Sequence, residues 1–172
     1  MKRWLPVPLA ALAIALGARV TVDLPGTDIQ TTLQTLAVFV AGGWLGPWRG
    51  MAAVALYLAV GALGAPVYSD GGAGLDHLFG PTAGYLFGFI ACAGLVGALW
   101  PRKKTFAWAL CVAVLATVLV LALGVPVLAW KTGMPLAEAV EKGGLAPLPG
   151  GLVKAVATAL LLSLEGRVTR LG

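Results

Sequence analysis

Residues 102–125 read RKKTFAWALCVAVLATVLVLALGV, and this stretch decides the class of fold. Between Phe106 and Val125 there is no charged side chain. About 20 such apolar residues span the ~30 Å hydrocarbon core of a bilayer as one helix. Arg102, Lys103 and Lys104 stand directly before the run, and basic residues beside a span stay on the cytoplasmic side. The segment therefore reads as a membrane helix that leaves the cytoplasm at its amino end.

The rest of the chain agrees. Of its 172 residues, 59% are hydrophobic and 11% charged, with a mean hydropathy of +0.92. Soluble domains run at about 45–50% apolar and about 25% charged, so a water-soluble globule is excluded. Disorder is excluded too, because disordered chains are polar and highly charged. The 24 glycines and 11 prolines suit membrane helices, where Gly allows close packing and Pro breaks are tolerated. Breaks in the apolar pattern predict six spans, at about 4–22, 32–47, 50–64, 81–100, 106–125 and 149–165. The second and third are short, sharing the break Gly46-Pro47-Trp48-Arg49-Gly50, and read as tilted or extended helices. Lys2 and Arg3 before the first run resemble the start of a signal peptide. No small-x-small cleavage pattern leads into a polar mature domain, so residues 4–18 are kept as part of the first span.

Charge sets the direction. With both termini inside, the inner segments hold Lys2, Arg3, Arg49, Arg102, Lys103, Lys104, Arg167 and Arg170, eight of the 12 basic residues. The outer side holds Asp23, Asp28, Asp70, Asp76, Glu138 and Glu141, six of the seven acids. The net charge of +5 is thus a topology signal rather than a nucleic-acid footprint. The expectation is an all-α integral membrane protein: one domain over residues 1–172, multi-pass in the cell (inner or plasma) membrane. Its termini are cytoplasmic. The long connections, about 23–31, 65–80 and 126–148, all fall outside. Long loops concentrate function, so a ligand pocket is expected under them, open to the extracellular side. Gly64-Ala65-Pro66-Val67 and Gly124-Val125-Pro126-Val127 read as matching ends of spans three and five, or as ordinary Gly-then-Pro helix stops.

Catalytic equipment is missing. There is no P-loop, no Gly-x-Ser-x-Gly frame and no pair of acids within a span. The single histidine, His77, has no second ligand nearby, and residues 71–74 (GGAG) read as a loop tip rather than a phosphate cradle. Cys92 and Cys111 read as small buried hydrophobes. No catalytic residue, metal site or cofactor is expected. A protein of this kind that moves a solute takes its energy from another subunit, or only binds.

Polar residues inside spans stand out against this background. Gln34, in Thr31-Thr32-Leu33-Gln34-Thr35, is costly in hydrocarbon unless hydrogen-bonded. It faces either a neighbouring helix or a cavity. Lys154 opens the last span, where it either snorkels outward or turns inward as the counter-charge of an anionic ligand. Arg19, at a similar depth in span one, is a second candidate.

The run Thr32-Leu33-Gln34-Thr35-Leu36-Ala37-Val38, followed by a Gly-rich helix to Gly46-Pro47, resembles the opening of the BioY family. So do Tyr57 to Val67, then Gly80-Pro81-Thr82-Ala83-Gly84-Tyr85-Leu86-Phe87-Gly88-Phe89, and a Pro-Gly-x-x-x-Lys element from Pro149 to Lys154. The likeness runs along nearly the whole chain in order. It departs from the family pattern at Gln30, where a proline is usual, and at Gly151, where an acid is usual. The resemblance implies the biotin-specific substrate-binding component of an energy-coupling-factor transporter. It also implies partnership with a membrane-embedded coupling subunit and two cytoplasmic ATPases. Biotin needs an apolar slot, partners for its ureido N–H and C=O groups, and a cation for its carboxylate. On that reading Thr32 and Gln34 supply polar partners, Tyr57 and Tyr85 aromatic walls with Trp44 and Trp130 as weaker candidates, Asp76 an acceptor replacing the acid missing at 151, and Lys154 the cation. A coupling contact is expected on the first helix at Ala11 and Ala15, small-xxx-small spacing that lets helices approach closely. Another small vitamin, a membrane enzyme or a purely structural protein are the competing functions.

Overall fold

A computed structural model describes residues 4–22 and 31–171. Lys2, Arg3, Asp23, Asp28 and Gln30 lie outside the described residues. Six principal helices form a bundle: α1 (Pro6–Arg19), α2 (Gln34–Leu45), α3 (Pro47–Ala62), α5 (Ala83–Leu99), α6 (Phe106–Thr132) and α8 (Leu148–Leu171). Two short helices, α4 (Gly74–Leu78) and α7 (Leu136–Val140), lie in the connections. The two-residue strands β1 (Thr21–Val22) and β2 (Thr31–Thr32) pair antiparallel, Thr21 opposite Thr32, between α1 and α2. α5 is the hub, packed against α2, α3 and α6, while α8 closes the bundle against α6 and α2 and α1 lies on α2 and α3.

Glycine makes the hub possible. A Cβ on Gly97 of α5 would run into the Gly46–Pro47 backbone, and one on Gly50 would lie 2.8 Å from the Cα of Gly42. Three helices therefore meet nearly backbone to backbone where side chains would hold them apart. Gly46, with φ of 81°, turns α2 directly into α3, whose first residue is Pro47. Beneath this turn Trp100 is almost fully buried. The neighbouring turn is fixed by Trp108 Nε1, which donates to the carbonyl of Leu99 at 2.8 Å, with Lys103 Nζ 4.9 Å from the Trp108 ring centre. Arg49, Trp100, Lys104 and Glu165 share one small cavity, so both basic turns sit at the same end of the bundle.

The outside of the bundle is apolar. Leu5, Leu9, Leu12 and Leu16 on α1, Leu115 and Val118 on α6, and Val153, Leu160 and Leu164 on α8 are exposed. So extensive an apolar shell suits lipid rather than water. Three stretches, Ala83–Arg102, Phe106–Thr132 and Leu136–Glu165, are long and apolar enough to cross a membrane. α1 (14 residues) and α2 (12 residues) are apolar but short, about 21 and 18 Å at ~1.5 Å per residue.

The expected end of the fifth span needs correction. α6 does not stop at Gly124-Val125-Pro126 but runs through Pro126 to Thr132 and ends at Gly133, with φ of 70°. The parallel with Gly64–Val67 is lost, because Pro66 follows its helix whereas Pro126 lies inside one. The expected loop 126–148 is mostly ordered: the end of α6, then α7, a π-helical turn (Glu141–Leu145) and the start of α8. Lys142 Nζ donates to Glu138 at 2.6 Å there. So exposed a pair adds little stability.

Candidate ligand pocket

At the end of the bundle opposite the basic turns lies a cavity of about 320 Å³. Ligand pockets run from about 300 to 1,000 Å³, so it suits a small, compact molecule. Its wall draws on Thr21 and Thr32 of the strand pair, Gln34 and Thr35 of α2, and Ser69 and Asp70 of the loop after α3. Thr82 and Tyr85 enter from the start of α5, Thr117 and Val120 from α6, and Pro147, Gly151 and Lys154 from the start of α8. The floor is apolar, with Leu86, Phe89 and Leu121.

Small residues let these pieces converge. Gly17 brings α1 against the start of α2, where a Cβ would lie 3.1 Å from the Leu33 carbonyl. Leu33 N–H donates to Val20 O at 3.0 Å, which fixes where α2 begins and sets Gln34 in its first turn. Gln34 is 4% exposed, and its Nε2 donates to Tyr57 Oη at 3.0 Å. This pairing removes the penalty of a buried amide and fixes its orientation. Lys154, 8% exposed, directs Nζ to the backbone carbonyl of Thr32 at 3.1 Å. It turns into the bundle rather than snorkelling outward. The Tyr85 ring lies over Gly124 of α6, where a Cβ would collide with it, and its Oη donates to the Gly143 carbonyl at 2.9 Å. Tyr85 thus ties α5 to the π-helical turn while lining the cavity.

The loop after α3 is anchored separately. Tyr68 is fully buried with its ring on Gly61, and its Oη donates to Leu58 O at 2.6 Å. The ring stacks on His77 at 5.0 Å and meets Tyr57 edge-on at 5.6 Å. The Arg19 guanidinium donates to the carbonyl of Pro66 in the same loop. Arg19 is therefore engaged with the loop and does not line the cavity.

Of the expected site residues, Thr32, Gln34, Tyr85 and Lys154 come together on the cavity wall. Tyr57 stands one layer behind, holding Gln34 rather than forming a wall. Asp76 is exposed on α4, away from the cavity, and Asp70 lines it instead. Trp44 and Trp130 are exposed and line other surfaces. Ala11 is 6% exposed and turned to the core, and Ala15 is half-buried against it, while Leu12 and Leu16 point outward. Sequence reasoning passed over Asp70 and Thr117. Thr117 carried a signal, as the hydroxyl inside span five, whereas nothing in the pattern distinguished Asp70 from Asp76.

Fold and pocket together define a helical protein of membrane type with a cavity of small-ligand size at one end of the bundle. The BioY family model matches residues 1–170, and the chain belongs to the BioY family. A biotin transporter BioY of Thermotoga maritima is 35% identical over 94% of both chains. One of Rhodobacter capsulatus is 37% identical over 88% of this chain and 86% of its own. Among solved structures, the S-component for biotin from an ECF-type ABC transporter superposes with a TM-score of 0.84, covering 99% of this chain and 92% of that one at 22% identity. At that identity the likeness is one of fold. The relatives are named as transporters, not as enzymes.

Proposed function

We propose that this chain captures biotin from outside the cell and serves as the substrate-specificity subunit of an energy-coupling-factor transporter in the cell membrane. The observation that carries the reading is the cavity with one buried ammonium, Lys154, and one fixed amide, Gln34. A carboxylate-tipped ligand with a polar ring needs such a pair, and a charge pair is stronger where water is excluded. The chain is one membrane domain whose six principal helices cross the bilayer. Its termini and basic turns are cytoplasmic and the cavity is extracellular, in line with the charge bias. Since the sequence holds no P-loop, energy comes from two cytoplasmic ATPases through a membrane-embedded coupling subunit. That subunit docks on the groove of Leu9, Ala10, Ala13, Ala37 and Ala41 between α1 and α2, whose small residues favour close helix approach.

Native mass spectrometry of gently purified protein tests the reading directly. Bound biotin is expected to accompany the chain, and titration of stripped protein should give saturable binding. A different vitamin in the spectrum, with no binding of biotin, would overturn it.

A further inference from the structure

Among the described residues, two charged side chains reach the cavity wall: Lys154 from α8 and Asp70 from the loop after α3. Asp70 holds φ of 54° and ψ of 20°, the left-handed region that a residue other than glycine enters at a cost. An aspartate there commonly recovers the cost by bonding its own backbone. Among the described residues the Asp70 carboxylate makes no hydrogen bond or ion pair. The loop is nevertheless held firmly, by Tyr68 in its socket on Gly61 and by Arg19 on the Pro66 carbonyl. The anchored loop thus holds an exposed carboxylate, without a protein partner among the described residues, at the cavity wall.

We infer that Asp70 is a specificity-determining residue, accepting one ureido N–H group of the ligand while Lys154 takes its carboxylate. This rests on the functional reading above. Among the other polar groups of the wall, Thr117 donates its hydroxyl to Ala113 O at 2.9 Å and Gln34 donates Nε2 to Tyr57, leaving its Oε1 as a neutral acceptor beside the hydroxyls of Thr21, Thr32, Thr35, Ser69 and Thr82. Asp70 is the one carboxylate among the described lining residues. A ring N–H needs an acceptor once buried, and a carboxylate accepts with no competing donor. Charge assistance makes such a bond about twice as strong as a neutral one. Biotin is complementary to such a wall: a ring donor at one end and an anion at the other. A ligand without that donor would strip water from Asp70 and give nothing back, which is how a polar site rejects a close analogue.

The test compares Asp70→Asn and Asp70→Gly by calorimetric titration with biotin and with biotin methylated on both ureido nitrogens. Asp70→Gly suits the left-handed backbone, so its thermal unfolding should match or exceed that of wild type. Both variants are expected to lose about 10- to 150-fold in biotin affinity, the value of a hydrogen bond to a charged group. The methylated ligand should bind wild type weakly and lose little more in Asp70→Gly. Wild-type affinity for biotin in Asp70→Gly, or an equal loss for both ligands, would overturn the inference while leaving the functional reading intact. Wild-type protein that binds no biotin would overturn that reading, and this inference with it.

Discussion

At the scale of single residues, Lys154 and Thr117 show how little space separates binding from its loss. Lys154 gives a sharp test, because Lys154→Met keeps the stem and removes the charge. Truncating one partner of a buried charge pair costs about 2–5 kcal/mol, so biotin affinity should fall roughly 30- to 5,000-fold. Biotin amide should bind wild type poorly and lose little further; equal losses for acid and amide, measured by titration, would assign the lysine to helix anchoring. Gly151 offers the second test. An acid is usual in the family at this position, but here a Cβ at 151 would lie 2.9 Å from Thr117 Cγ2. Gly151→Asp alone should lower thermal stability by about 1–3 kcal/mol through overpacking. Adding Thr117→Ala should recover much of that, and additive effects of the two substitutions would show that the sites do not touch.

At the scale of elements, α1 shows what pattern reading resolves and where it fails. Its helical character was legible, yet of the two alanines expected on its partner face Ala11 is buried and Ala15 is half-buried against the core. Leu5, Leu9, Leu12 and Leu16 lie on one face at helical spacing, and that stripe was the available signal. In lipid, large apolar residues turn outward and small ones pack inward, the reverse of the rule in water. The docking groove is accordingly tested at Ala13, which is exposed on its rim. Ala13→Trp should abolish co-purification with the coupling subunit and uptake by cells, yet leave biotin binding within about twofold, since the cavity lies elsewhere. Co-purification at wild-type levels would place the contact on another face. A local rule also misled at Pro126. Proline ends helices where water can satisfy the freed carbonyl, but membrane helices carry it and continue. α6 stops only where Gly133 turns left-handed. Asp70 and Asp76 show a third limit: the sequence reading chose Asp76 as the acceptor, and only the folded loop shows that Asp70 is the one on the cavity wall.

At the scale of the whole molecule, the charge bias makes a prediction about sidedness. With Cys111 replaced by Ser, a cysteine at Lys142 should react with an impermeant thiol reagent in intact cells, and one at Lys103 only after lysis. The opposite labelling would invert the orientation. The helix lengths carry a different consequence. α1 and α2 lie side by side and are short, while α6 and α8, at 27 and 24 residues, are long. In the proposed six-span topology the hydrophobic girdle would therefore have no single height. Lipid would meet the short flank by thinning and the long one by thickening, or the long helices would tilt. Each flank is then a source of elastic strain in the surrounding leaflets. The orientation that the molecule adopts becomes a compromise with membrane thickness, shifting as acyl chains lengthen or shorten.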